Sequence, residues 1–262
     1  MIKTPEVYAL VTGGSKGIGK AIALALASRG NHLLLMARNE AELIQTAAEI
    51  REKYNVKIDI FAIDLTLADS AAQVFNWVEG KNYQVSILVN NAGFGAWGAF
   101  ADLTLAAQMQ MVDVNVSTLV KLCHLFTPML KVQKAAYILN ISSTAAYQAL
   151  PTLAIYAASK SFVLSFSRAI NYELRNTSVG VTCICPGPVE TNFASRAGMN
   201  ALDKMAQKFN MQPAEVAEMA VKAMFKRKTE VIPGFSNKIG AFAARLLAKR
   251  FLEKTAAGIY KV

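Results

Sequence analysis

Apolar and polar positions along this 262-residue chain follow two alternating rhythms. Short apolar-rich runs occupy Val7 to Thr12, Leu33 to Met36, Lys57 to Ile63, Val85 to Val89, Tyr137 to Ile141 and Val179 to Cys185. Runs of this length, bounded by turn residues, read as strands buried on both faces. Between them lie longer stretches with apolar residues three and four apart: Lys20 to Arg29 (closed by Gly30), Glu40 to Tyr54, Ala68 to Glu79, Thr104 to Val132, a segment through Tyr156 to Arg175, and Pro213 to Lys228. That spacing predicts helices, and Val231-Ile232 fits a short last strand. Strand and helix alternating in this way predict an α/β fold, a doubly wound parallel sheet of about seven strands with helices on both faces. The pattern runs through residues 1–262 as one domain, with no internal repeat. Residues of about 187–211 lack a clear period and are expected to form a lid. Beyond them, about 238–262 is expected to be an amphipathic basic helix, with Ile239, Phe242, Ala243, Leu246, Leu247 and Phe251 at helical spacing.

In such sheets, ligands bind beyond the strand C-termini. The first strand ends in Thr-Gly-Gly-Ser-Lys-Gly-Ile-Gly, residues 12–19. Small residues there let backbone approach a pyrophosphate, and the following helix N-terminus offers unpaired N–H groups to it. The second strand ends without the acidic residue that would bind the ribose hydroxyls of NAD. Arg38 stands just beyond, and with Lys16 it can grip a 2′-phosphate, which favours NADP(H). Asp64 closes the third strand, where it either reaches an adenine or caps the next helix. Asn90-Asn91-Ala92-Gly93 closes the fourth, either bracing a cofactor or shaping a turn.

The fifth strand carries the chemistry. It runs into Ser142 and Ser143, and a loop with Pro151 leads to Tyr156 and Lys160. Four residues apart at a helix start, these two share a face. A phenol has an ordinary pKa of about 10, and a neighbouring ammonium lowers it toward the range useful for acid–base catalysis near neutrality. A serine hydroxyl, a phenol and an ammonium can converge on one substrate oxygen.

Composition adds limits. Hydrophobic residues make up 53% of the chain, enough for a large core. No charge-free apolar stretch reaches the roughly 18 residues of a membrane span. Met1 to Pro5 leads straight into a strand-like run, so no signal peptide is expected. Three cysteines, Cys123, Cys183 and Cys185, suggest buried thiols rather than a disulfide framework, and hence a cytoplasmic setting. Two histidines, His32 and His124, do not suggest a metal site. The net charge of +10 is concentrated at the end, where residues 222–262 hold ten Lys or Arg and two Glu. That is either a solvated basic face or one that attracts an acidic partner or a membrane surface. No nucleic-acid motif accompanies it.

Taken in order and spacing, Thr-Gly-Gly-Ser-Lys-Gly-Ile-Gly at 12–19, Asn-Asn-Ala-Gly at 90–93, Asn115, Ser143, Tyr-Ala-Ala-Ser-Lys at 156–160 and Pro-Gly at 186–187 resemble the short-chain dehydrogenase/reductase family. The resemblance runs from about residue 5 to about residue 235 and implies a Rossmann-type sheet. By this resemblance, Ser143 orients the substrate carbonyl and Tyr156 is the general acid or base. Lys160 lowers the tyrosine pKa and binds the nicotinamide ribose, and Asn115 holds a water that relays protons to Lys160. Ser143 is preferred to Ser142 by the family spacing. Cofactor contacts are implied for Gly13, Ser15, Lys16, Gly17, Ile18, Gly19, Arg38, Asp64, Leu65, Asn91, Ala92, Gly93, Tyr156, Lys160, Pro186, Gly187, Val189 and Thr191. One departure is Ser86, where an acidic residue often precedes the fourth strand. The loop after Gly93 and the segment Asn192 to Met199 are similar to a bacterial branch related to ketoacyl and hydroxysteroid reductases. Family members often form dimers or tetramers through two long helices, here near 104–132 and 156–175.

The expected activity is NADPH-dependent transfer of hydride between nicotinamide and a carbonyl or secondary alcohol. An apolar and aromatic wall (Phe94, Trp97, Tyr147, Leu150, Phe193, Met199), together with Ser143 and Tyr156, implies a hydrophobic substrate. The alternative is a non-catalytic NADP-binding sensor or scaffold on the same fold. Against it stands the intact set Asn115, Ser143, Tyr156 and Lys160, which a sensor would not need.

Overall fold

A computed structural model describes residues 6–191, 193, 197–198 and 210–260. Seven parallel strands form one sheet in the order β3-β2-β1-β4-β5-β6-β7. They are β1 (Val7–Thr12), β2 (His32–Ala37), β3 (Ile58–Ala62), β4 (Gln84–Asn90), β5 (Ala136–Ile141), β6 (Val179–Ile184) and β7 (Glu230–Val231). The order reverses between β1 and β4, and at that switch the strand ends diverge into a crevice. The alternation read from the sequence is therefore present strand for strand.

Helices cover both faces, as a parallel sheet requires. One face carries α1 (Gly17–Ala27), α2 (Glu40–Lys53) and α7 (Pro213–Phe225). Here Ile22, Leu26, Leu43, Ile50, Val221 and Met224 pack on the sheet, all fully buried. The other face carries α3 (Ser70–Gly80), α4 (Leu105–Val112), α5 (Leu119–Lys131) and α6 (Ala154–Glu173). Val74, Val78, Leu122, Phe126, Leu130 and Val163 fill that core. Local chemistry sets several helix starts. The Asn39 side chain accepts the Glu42 N–H ahead of α2, and Thr104 does the same for Ala107 ahead of α4. Gln212 and Glu215 form a reciprocal cap ahead of α7, with Pro213 in its first turn.

Two expected helices differ from the structure. The segment expected as one helix from Thr104 to Val132 widens to a π turn at Asp113–Thr118, between α4 and α5. The wider turn holds Asn115 inward against the Phe94 backbone while Leu119, Leu122 and Phe126 remain buried on the sheet. The tail, expected as a single amphipathic helix, is two: α8 (Phe235–Leu246) and α9 (Lys249–Tyr260). Leu247 is extended, with φ −79° and ψ 151°. That bend lets Ala256 pack with Ala145, Leu150 and Leu153 on the domain. The expected lid, 187–211, lies largely outside the described residues.

Phe126 is fully buried at the centre of the α5 face, edge-on to Phe75 with ring centroids 5.3 Å apart. Phe126→Ala should lower the unfolding free energy by about 3–5 kcal/mol. Urea denaturation would measure this, and a loss below about 1 kcal/mol would mean that the α5 face repacks around the cavity.

Candidate active site

A cavity of about 1420 Å³ opens at the C-terminal ends of the strands. The glycine loop lines one end and the β5–α6 residues line the other, so one opening joins the two motifs that lie about 130 residues apart in the chain.

The loop end is built from β1, α1 and β4. Thr12 is buried; its Oγ1 donates to Val89 O at 3.2 Å and accepts the N–H groups of Asn91 and Ala92 at 3.0 Å each. Asn91 returns the contact, its Nδ2 donating to Thr12 O at 2.9 Å and Gly13 O at 3.2 Å. Asn91 thus braces the loop. Gly19 packs so tightly that an added Cβ would lie 2.1 Å from Gly13 O, so a side chain there would push the loop open. The first turn of α1 has neither a side-chain cap nor an acidic residue, which leaves its N–H groups to an anion. The residues present therefore fit a dinucleotide pyrophosphate. Ser15, Lys16, Gly17, Ile18, Arg38, Asp64, Leu65, Ala92, Gly93, Pro186, Gly187, Val189 and Thr191 also line the cavity.

Polar partners modify three of the expected roles. Lys16 pairs with Glu42 at 2.8 Å, and Ser15 Oγ donates to the same carboxylate at 3.2 Å. Asp64 accepts both the N–H and the hydroxyl of Thr66, at 3.0 and 2.9 Å, shaping a turn while facing the cavity. Arg38 is exposed at the cavity rim.

At the other end the two serines separate. Ser142 is buried, and its Oγ donates to Lys160 O at 2.7 Å. Ser143 lines the cavity, its Oγ accepting the Ala145 N–H at 3.1 Å and donating to Pro186 O at 3.4 Å. Tyr156 and Lys160 lie in the first two turns of α6 and both face the cavity. The Lys160 ammonium sits 5.8 Å from the Tyr156 ring centroid and donates to Ile141 O at 3.0 Å. Asn115 is clamped by its side chain: Oδ1 accepts Phe94 N–H at 3.1 Å, while Nδ2 donates to Phe94 O at 3.0 Å and Ser159 Oγ at 3.1 Å.

Four residues of the expected apolar wall face the same cavity. Phe94, Tyr147, Leu150 and Phe193 line the cavity, and Phe193 lies against Tyr156 with ring centroids 5.4 Å apart. Trp97 packs with Ala145, Leu150, Leu153 and Ala157, and its backbone N–H donates to Ala197 O at 2.9 Å. Tyr147 presents its ring, while its hydroxyl is turned away to Glu230 at 2.7 Å. Met199 lies outside the described residues. The sequence reading missed Glu42 and the α8 residues Ser236, Asn237, Gly240, Ala241 and Ala244, which also line the cavity. No local signal marks these, because they are brought in by contacts distant in the chain.

A sequence model of the family described as short chain dehydrogenase matches residues 7–202. The chain belongs to the short-chain dehydrogenase family. It is 30% identical over 224 residues to an uncharacterised oxidoreductase of Staphylococcus saprophyticus, covering 86% of this chain and 93% of that one. Some relatives are longer: the chain spans 61% of the very-long-chain 3-oxoacyl-CoA reductase of Macaca fascicularis, to which it is 34% identical over 191 residues, 71% of its own length. Among solved structures, a 7β-hydroxysteroid dehydrogenase superposes with a TM-score of 0.87 at 25% identity, covering 96% of both chains. A short-chain dehydrogenase from Sphingobium yanoikuyae in complex with NADPH gives 0.82 at 27%, covering 92% of this chain and 93% of the other. One from Burkholderia phymatum in complex with NAD gives 0.81 at 25%, covering 92% and 94%. This short-chain dehydrogenase therefore has the Rossmann-type fold of an oxidoreductase that uses a nicotinamide dinucleotide.

Burial pulls the Lys160 ammonium from its ordinary 10.5 down to about 8, with Cys183 and Cys185 acting in the opposite direction. The folded state thus holds this proton less tightly than the unfolded chain. Between about pH 8 and 10.5 the unfolded chain binds more protons, so the Lys160 contribution to stability rises with pH across that window. Lys160→Met should flatten the rise. Urea denaturation of the cofactor-free protein across the window would show the variant's advantage over the parent shrinking as pH increases; parallel curves would remove Lys160 as the source.

Proposed function

We propose that this short-chain dehydrogenase is an NADPH-dependent reductase of hydrophobic ketones or aldehydes, or the corresponding secondary-alcohol dehydrogenase. One observation carries the reading: a single cavity is lined by Lys16 and Arg38 at one end and by Ser143, Tyr156 and Lys160 at the other. The first pair suits a phosphorylated ribose and the second group suits a substrate oxygen.

In this reading Ser143 donates a hydrogen bond to the carbonyl oxygen. Tyr156 gives that oxygen its proton in reduction and takes it back in oxidation. Lys160, still protonated at neutral pH, stabilises negative charge developing on the tyrosine oxygen. Asn115, held by Phe94 and Ser159, fixes the π turn beside these groups. When bound, the cofactor supplies the hydride chemistry. Phe94, Leu150, Phe193 and the ring of Tyr147 exclude water and favour an apolar substrate. The names of the hydroxysteroid and very-long-chain acyl relatives are in keeping with such a substrate.

Cofactor choice rests chiefly on Arg38 in this proposal. Lys16 is engaged by Glu42 and must exchange that carboxylate for phosphate, whereas Arg38 stands at the rim with a planar fork suited to phosphate. Self-association is proposed through α4–α5 and α6, where Leu105, Met109, Phe162 and Tyr172 are exposed.

NADPH oxidation by the purified protein against aldehydes, ketones and acyl thioesters tests the reaction. Tyr156→Phe should lower turnover by about a hundredfold or more without loss of NADPH binding. Tight NADPH binding with no turnover on any substrate would favour a sensor. Arg38→Asp should weaken NADPH binding by about tenfold or more, roughly 1.4 kcal/mol, and leave NADH binding little changed. Equal weakening of both would remove Arg38 from the phosphate site.

A further inference from the structure

Helix α8 is amphipathic with its large apolar face outward. Phe235, Ile239, Phe242 and Leu246 recur at a spacing of four, three and four residues, so they form one narrow stripe. They are 79%, 54%, 63% and 70% exposed. The opposite face is made of small or polar residues, Asn237, Gly240, Ala241 and Ala244, and it lines the cavity. A helix that only capped its own domain would turn the large side chains inward. After the bend, Leu247 and Phe251 are also 45% and 58% exposed. Contiguous exposed apolar surface of this kind marks a contact surface.

Charge decides what fits it. Between Phe235 and Tyr260 there are five cations, Lys238, Arg245, Lys249, Arg250 and Lys254, and one acid, Glu253. Lys238, Lys249, Arg250 and Lys254 are exposed on the same two helices; Arg245 is paired with Glu230. A second copy of this chain, docked by the same face across a two-fold axis, would bring like charges together. A surface that is apolar at depth and anionic at its boundary satisfies both the stripe and the cations. Among the described residues no helix is long and apolar enough to cross a membrane, so any such contact lies along the surface.

We propose that the outer face of α8 and α9 docks on an anionic lipid bilayer, with the Phe-Ile-Phe-Leu stripe in the acyl boundary and the flanking cations on the headgroups. The inner face of α8 then keeps its place in the cavity wall, which sets the cavity next to the bilayer. This inference stands apart from the reductase reading, because docking needs neither turnover nor cofactor.

Co-sedimentation of the full chain with vesicles of phosphatidylcholine, with and without phosphatidylglycerol, tests it at low and high salt. Binding is expected for the phosphatidylglycerol vesicles at low salt and should fall at high salt. Two exposed double variants separate the contributions: F242S with L246S removes the stripe, and K249E with R250E reverses the charge. Each should weaken vesicle binding by about tenfold or more with an unchanged thermal midpoint. Equal binding to neutral vesicles, or binding indifferent to both variants, would overturn the proposal. So would absence of vesicle binding combined with dimers that dissociate in the F242S/L246S protein, which would make the stripe a subunit interface.

Discussion

An ammonium taken out of water must find oxygen partners or give up its proton. Lys160 is 5% exposed, and the active-site end of the cavity is assembled around that constraint. Ile141 O, at the last residue of β5, accepts from its Nζ, while Ser142 at the next residue holds the Lys160 carbonyl. The strand and the helix are thereby fixed to each other at both ends of one lysine. The β4 loop is fixed in turn: a Cβ on Gly93 would lie 2.8 Å from Asn115 Oδ1 and 3.5 Å from the ammonium. Only a residue without a side chain lets loop, π turn and lysine approach this closely. Ser143 and Tyr156, which line the cavity, inherit their positions from neighbours that hold the strand, the helix and the loop together.

The far edge of the sheet uses a different means. β7 is only two residues long, so its ladder does little to anchor the chain beyond it. Glu230 compensates. Its carboxylate accepts from Tyr147 at 2.7 Å, from Arg168 at 2.5 Å and from Arg245 at 2.9 Å, and Arg245 lies over the Tyr147 ring at 5.1 Å. Burial pushes this carboxyl upward, yet the hydrogen bonds from Tyr147 and Arg168 and the charges of Arg245 and Arg168 outweigh it and hold Glu230 below its ordinary range. One acid thus ties the cavity wall, α6 and α8 together. It also holds the hydroxyl of Tyr147, a residue that lines the cavity.

Strands were legible because each is a short apolar run ended by turn residues, and their parallel order followed from alternation with helices. The glycine loop and the Ser-Tyr-Lys set were legible because their spacing is local. The features that stayed hidden depend on residues far apart in the chain. The π turn at Asn115 has no turn residue to mark it, since Val112 to Leu119 contains neither glycine nor proline. Lys16 reads as a phosphate ligand from the loop alone, and only the packing of α2 reveals Glu42 beside it. The backbone bond from Trp97 to Ala197, a hundred residues on, has no local signal either.

The tail shows the deepest limit of a hydrophobic pattern. Phe235, Ile239, Phe242 and Leu246 have the spacing of a core-facing stripe, and periodicity cannot say which way a stripe faces. Opposite it stand small residues, Gly240, Ala241 and Ala244, which line the cavity. In α8 the small side chains face the cavity and the large apolar ones face outward. Large apolar side chains are left outward at a cost of roughly 25 cal/mol for each Å² kept in water. Salt bridges at the helix surface return little of that cost, so within the single chain the arrangement is unfavourable. In the proposed docking, the acyl boundary would cover the stripe while the exposed cations meet anionic headgroups.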